Sequence, residues 1–188
     1  MDGGLGYDFV SYNDALAGVR FSFQTPSLTK VGEAIGDSYL SIEGIIDSAY
    51  SDTIYGDSND NIIRSGSGTD RLDGLAGIDT YQIVAQRAFD PMNVALPTVQ
   101  GYVVVLSDRA ATIANAFGIS AVSPGAYGVG FAYNGSQWEP TYGYDLLYSF
   151  ENIFGSSGND KLYGNDLDNI IEGRSGMDTI SGGGGFDM

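Results

Sequence analysis

Between Asp47 and Gln82 the apolar residues fall on a nine-residue beat. Ile54, Ile63, Leu72 and Tyr81 each occupy the eighth place of a nonapeptide, and each follows a six-residue run rich in Gly, Ser, Asn and Asp. Gly accepts backbone angles that other residues avoid, and Asn, Asp and Ser bond to their own backbone, so such runs predict tight turns. The remaining three residues, x-U-x with U apolar, predict a short strand with one inward side chain. A fixed short period of turn and strand is the mark of a stacked, coil-like architecture.

The frame from Asp47 reads DSAYSDTIY, GDSNDNIIR, SGSGTDRLD, GLAGIDTYQ. It returns as GSSGNDKLY, GNDLDNIIE, GRSGMDTIS and a cut GGGGFDM from Gly155, with a lone copy, GGLGYDFVS, from Gly3. Position six is Asp8, Asp52, Asn61, Asp70, Asp79, Asp160, Asn169, Asp178 and Asp187. The blocks are an internal duplication. YSFENIFGSSGND from Tyr148 parallels LSIEGIIDSAYSD from Leu40, and Asp52, Gly56, Ile63, Asp70 and Asp79 return as Asp160, Gly164, Ile171, Asp178 and Asp187 at an offset of 108 residues. The chain divides into an opening repeat with a β segment (1–37), a first repeat block (38–82), an inserted β-rich segment with an aromatic loop (83–145) and a second block (146–188). GVRFSF from Gly18 and GYVVVLS from Gly101 read as strands by their β-branched and aromatic content, and DRAATIANAF from Asp108 reads as a short capped helix. Joined end to end, the termini read GGGGFDM-MDGGLGYDFVS, in register. This predicts a longer tandem array or chains stacked head to tail.

Composition narrows the chemistry. Glycine, at 28 residues, is about twice its usual share. The net charge is −16, yet the acids are not in runs: they recur at one phase beside Gly, which favours a bound cation over a disordered acidic tail. The eight Lys and Arg form no patch, which disfavours nucleic acid. With neither Cys nor His, thiolate and imidazole metal sites and Ser-His-Asp or Cys-His catalysis are excluded, and no catalytic residue is expected. There is no apolar run of about 18 residues to span a membrane.

These repeats resemble the RTX (hemolysin-type) calcium-binding nonapeptide family, whose consensus is GGxGxDxUx. The resemblance implies an all-β parallel β-roll in which two nonapeptides make one circuit, so that residues 18 apart stack, with the two repeat blocks separated by irregular β segments and several calcium ions between stacked turns. The implied side-chain ligands are Asp8, Asp52, Asn61, Asp70, Asp79, Asp160, Asn169, Asp178 and Asp187, with Asp60 and Asp168 as supplementary donors. The implied carbonyl donors are the loop residues Gly3, Gly4, Gly6, Gly56, Ser65, Gly66, Gly68, Gly74, Gly77, Gly155, Gly158, Gly164, Gly173, Gly176, Gly182, Gly184 and Gly185. The expected pairs are Asp52 with Asp70, Asn61 with Asp79, Asp160 with Asp178 and Asn169 with Asp187, with Asp8 of one unit over Asp178 of the preceding one. Asn61 and Asn169 offer neutral oxygens and imply weaker sites, and the DSAYSD turn departs from the consensus by lacking Gly.

Three functions compete. The first is a calcium-folded structural module of a secreted protein, stacking head to tail into a bacterial surface fibre, adhesin or S-layer-like array. The second is an accessory module of a type I-secreted enzyme or toxin whose catalytic domain lies elsewhere. The third gives the 101–145 segment a sugar-binding or enzymatic role, with a cell-surface or carbohydrate contact through Tyr127, Phe131, Tyr133, Trp138, Tyr142 and Tyr144 and with Glu139, Asp145 and Glu151 as carboxylates. Packing of those aromatics against the end of the roll is the simpler reading. Metal binding to such a chain is folding free energy, so the calcium-free chain is expected to be largely disordered.

Overall fold

A computed structural model describes residues 1–24, 31–84, 101–106, 128–133 and 144–188. It is a parallel β-roll. Each x-U-x triplet forms a strand, and successive strands within the repeat blocks alternate between two facing sheets. One sheet has six strands in the order β1 (Phe9–Ser11), β3 (Gly44–Ile46), β5 (Ile62–Ser65), β7 (Thr80–Ile83), β11 (Asn152–Phe154), β13 (Ile171–Glu172), all parallel. The other has eight: β2 (Arg20–Ser22), β4 (Thr53–Tyr55), β6 (Arg71–Asp73), β10 (Tyr144–Tyr148), β9 (Gly128–Tyr133), β8 (Gly101–Val105), β12 (Lys161–Tyr163), β14 (Thr179–Ser181). Only β9 runs antiparallel to its neighbours. The one helical element among the described residues is a single 3₁₀ turn, Gly32–Ala34.

Strand register turns the nine-residue beat into columns. In the six-stranded sheet Val10, Ile45, Ile63, Tyr81, Ile153 and Ile171 stack in line. In the other sheet Phe21, Ile54, Leu72 and Leu147 form one column, and Val104, Leu162 and Ile180 another. All of these are buried except Ile180 on the terminal strand, which is 49% exposed. Burying each such side chain contributes about 2 kcal/mol, so the interior is a narrow zipper with little reserve.

The blocks that the sequence separates are contiguous in space. The last strand of the first block, β7, pairs directly with β11, placing Thr80 beside Asn152. The other sheet widens instead, taking in β10, β9 and β8 between β6 and β12. Tyr81 fills the widened interior, and its hydroxyl donates to Asp145 Oδ2 at 2.6 Å. Opposite it β9 carries Gly130, where a Cβ would stand 2.8 Å from the Tyr81 hydroxyl. The first insert repeats this plan in reduced form. Val31 bridges Arg20 antiparallel, Leu40 bridges Asp2 in parallel, and Tyr12 donates to Asp37, the residue 108 before Asp145. The strands expected from GVRFSF and GYVVVLS are β2 and β8. The helix expected at 108–117 lies outside the described residues.

Candidate metal centre

The turns occupy the two edges of the roll, and their position-six residues form a column on each. On the edge leading into the eight-stranded sheet, register aligns Val19, Asp52, Asp70 and Asp145, then Tyr102, Asp160 and Asp178. On the opposite edge the column is Asp8, Glu43, Asn61, Asp79, Glu151, Asn169 and Asp187. One rule links the rungs: the carboxylate of a later rung accepts the backbone N–H of the rung before it. Asp70 Oδ1 takes the N–H of Asp52 at 2.8 Å, Asp79 Oδ1 that of Asn61 at 2.8 Å, and Asp178 Oδ1 that of Asp160 at 2.9 Å. Asp187 Oδ1 takes that of Asn169 at 3.2 Å. Glu43 and Glu151 obey the same rule with the N–H groups of Asp8 and Asp79, at 3.0 and 2.8 Å.

Position one is glycine for a steric reason. The position-six side chain folds back over it, and a Cβ there would lie 2.5 Å from Asp79 Oδ2 at Gly74 and 2.7 Å from Asp160 Oδ2 at Gly155. Position four is glycine for a conformational one, since Gly68, Gly77 and Gly176 have φ of 135°, 130° and 124°. In the DSAYSD turn, Asp47 takes position one and adds a third carboxylate. Oxygens of Asp47, Asp52 and Asp70 all lie within 4.8 Å of one another, and each of the three side chains is at most 2% exposed. Two oxygens bound to one calcium at about 2.4 Å can be no more than about 4.8 Å apart, so the trio is within span of a single ion.

No Lys or Arg partners these buried acids among the described residues, where the ion pair formed is Arg71 with Asp73 at 3.9 Å, near the surface. Burial raises the Asp47 carboxyl well above the usual carboxylate range, and the Asp52 charge adds to it. Burial likewise raises Asp70, reinforced by Asp145 and Asp47. It pushes Asp145 up to about 6 and Asp79 up to about 7. Three buried carboxylate oxygens, Asp8 Oδ2, Asp47 Oδ2 and Asp79 Oδ2, accept no hydrogen bond among the described residues. Anionic oxygens held in this state match what a hard divalent cation requires.

The family model for RTX calcium-binding nonapeptide repeats matches in four copies, over residues 46–81 and 154–188. These segments are RTX repeats. No curated protein matches the chain. RTX nonapeptides bind calcium, and the donor set here, carboxylate and carbonyl oxygen throughout, fits that ion.

The expected 18-residue pairs of the RTX blocks are all stacked, but their side chains are in different states. Asn61 and Asn169 turn their amides onto backbone carbonyls: Asn169 Nδ2 donates to Glu151 O at 2.7 Å and Asn61 Nδ2 to Glu43 O at 3.4 Å. Asp60 and Asp168 cap the N–H groups of Ile78 and Phe186, both at 2.8 Å, on the exposed side of the turns. Asp8 stacks on Glu43 within the chain. Asp145 lies inside the roll, 4% exposed, rather than in a surface cleft. Tyr127, Trp138, Glu139 and Tyr142, and the side chains of Phe131 and Tyr133, lie outside the described residues. Sequence reasoning missed Glu43, Glu151 and Asp145 as members of the columns, and Asp47 as a carboxylate beside one of them. A signal existed for two of them, because Glu43 and Glu151 occupy equivalent places in the duplicated lead-ins SIEGI and SFENI.

Proposed function

We propose that this chain is a calcium-folded β-roll module of a secreted bacterial protein that also assembles end to end. The observation that carries the reading is the buried acidic edge: Asp47, Asp52, Asp70 and Asp145 share a water-poor interior with no basic partner among the described residues. Such a set is repulsive when ionised, and a divalent ion converts that repulsion into cross-links between turns far apart in sequence. Asp47, Asp52 and Asp70 would hold the ion, aided by loop carbonyls. Extracellular calcium modules work at about 10⁻⁴–10⁻³ M, so the chain would stay unfolded at cytosolic calcium and fold after export. RTX repeats are typical of secreted bacterial proteins, and no described helix is long and apolar enough to cross a membrane.

End-to-end assembly is supported by the terminal strands. All three residues of β14 are exposed, and Ile180, which continues the column of the fully buried Leu162, is half-uncovered. A strand paired along one edge only among the described residues, as β14 is with β12, can accept another strand along the other. Sedimentation velocity in about 5 mM calcium, above the working range of extracellular modules, and then in excess chelator tests both parts. The reading expects a slow, expanded monomer in chelator and fast, elongated oligomers in calcium. A compact calcium-bound monomer would leave the fold and remove the assembly, favouring an accessory module of a larger secreted enzyme or toxin. Identical profiles would remove the calcium reading.

A further inference from the structure

The turns differ in which way one peptide faces. In turns 47–52 and 155–160 position two is Ser48 and Ser156, whose hydroxyls accept the position-four N–H groups of Tyr50 and Gly158 at 3.1 and 3.0 Å. In turns 56–61 and 164–169 it is Asp57 and Asn165, which accept those of Asn59 and Leu167 at 2.8 and 2.9 Å. Held this way, the position-two N–H points into the loop and donates to position six. The distances are 3.0 Å to Asp52, 2.8 Å to Asn61, 2.6 Å to Asp160 and 3.0 Å to Asn169.

Turns 3–8 and 74–79 are built the other way. Their position-two residues, Gly4 and Leu75, are left-handed, with φ of 83° and 74°. The N–H of each now points out of the loop, to the aspartate that ends the preceding repeat: Gly4 to Asp2 and Leu75 to Asp73, both at 3.2 Å. The position-six carboxylates lose that donor, and Asp8 Oδ2 and Asp79 Oδ2 are buried and unpartnered among the described residues, with Asp79 0% exposed. Turning the peptide also swings the position-one carbonyl around. Gly74 O reaches the rung below, where it would collide with any Cβ on Gly56.

Each of these turns is overlaid by a glutamate from the lead-in to a repeat block, Glu43 above Asp8 and Glu151 above Asp79. Each glutamate lies two residues after a left-handed serine, Ser41 (φ 51°) or Ser149 (φ 54°). The arrangement occurs twice, across two inserts of different length.

We propose that Asp79 with Glu151, and Asp8 with Glu43, form two equivalent calcium sites, each joining a repeat to the lead-in of the block that follows it, and that turns 56–61, 155–160 and 164–169 hold no ion. In these three turns an inward N–H does the electrostatic work of a cation at position six; turn 47–52 has the same N–H but adds Asp47 at position one, whose Oδ2 is buried and unpartnered among the described residues. In the open turns the N–H has been replaced by oxygen, and the carboxylate requires a metal. The assignment rests on the calcium reading above.

Counting bound calcium per chain by equilibrium dialysis, with far-UV circular dichroism confirming the fold at saturation, tests it. Asp79→Asn and Asp8→Asn should each lose one ion, whereas Asp160→Asn should lose none. Leu75→Ser keeps every carboxylate but installs the closed-turn residue, and it should also lose one ion. This second route stands even if Asp79→Asn fails to fold. An unchanged count in Leu75→Ser, or loss of an ion in Asp160→Asn, would overturn the assignment. No calcium bound to the unaltered chain would bring down the calcium reading itself.

Discussion

Turn 74–79 and turn 155–160 share Gly at position one, Gly at position four and a buried Asp at position six, yet the two carboxylates live in opposite states. Asp160 accepts the Ser156 N–H at 2.6 Å, the Ser156 hydroxyl at 2.9 Å and the Tyr102 N–H at 2.7 Å. Asp79 has the Asn61 N–H on one oxygen and nothing among the described residues on the other. The aspartate that makes the motif recognisable therefore does not decide how its charge is met. The residue four places earlier does, through the direction of one peptide.

Position one offers the harshest way to break the comparison, because both turns need it bare. A Cβ at Gly74 would collide with the carbonyl of Ser149 and lie 2.5 Å from Asp79 Oδ2, whereas at Gly155 the nearest atoms are Asp160 Oδ2 at 2.7 Å and Gly173 O at 2.9 Å. Gly74→Ala should cost about 3 kcal/mol in calcium and Gly155→Ala about 1–2 kcal/mol, read from urea unfolding midpoints.

Acid is the next lever. Burial raises Asp79 to about 7 from the model-peptide value of 3.8, so between those values the folded chain binds a proton that the unfolded chain has released. Stability in chelator is then fully present below about pH 4 and lost as pH rises to about 7, at up to about 1.4 kcal/mol per pH unit for each such proton. Far-UV circular dichroism of the calcium-free chain across that window should show structure at the acid end that is lost as pH rises, and saturating calcium should abolish the loss. A calcium-free signal level across the window would contradict the buried, cation-free carboxylates.

Position two supplies the finer contrasts. Ser156→Ala strips from Asp160 the hydroxyl hydrogen bond shared between its two oxygens, and from Gly158 its cap, and should cost about 1.5 kcal/mol in urea titrations. Leu75→Gly should act in the opposite direction, stabilising by about 0.5–1 kcal/mol, because Leu75 is exposed and held at a left-handed angle that glycine adopts freely. Equal signs for the two substitutions would show that the turns are not two classes.

The roll itself was legible because a solenoid converts sequence period directly into spatial columns. Ile54 over Leu72, Asp52 over Asp70 and Asn61 over Asp79 follow from spacing alone, since each circuit is 18 residues and parallel pairing preserves register. The inserts carry no period, so their places were set by hydrogen bonding to whichever sheet edge lay open. That pairing set Glu43 over Asp8 and Glu151 over Asp79, carried Asp145 beside Asp70, and widened one sheet with β8, β9 and β10 while β7 met β11 directly. Asp47, a departure from the repeat in sequence, proved to be a third carboxylate beside Asp52 and Asp70. The sequence by itself determined the period, the inward apolar column and the acid at position six, because these depend on residue type and count. Tertiary structure decided which acids are paired, capped or left bare. Peptide direction at position two and stacking across the inserts are collective outcomes of packing, as left-handed Leu75 shows: its identity gives no hint of the conformation the fold imposes.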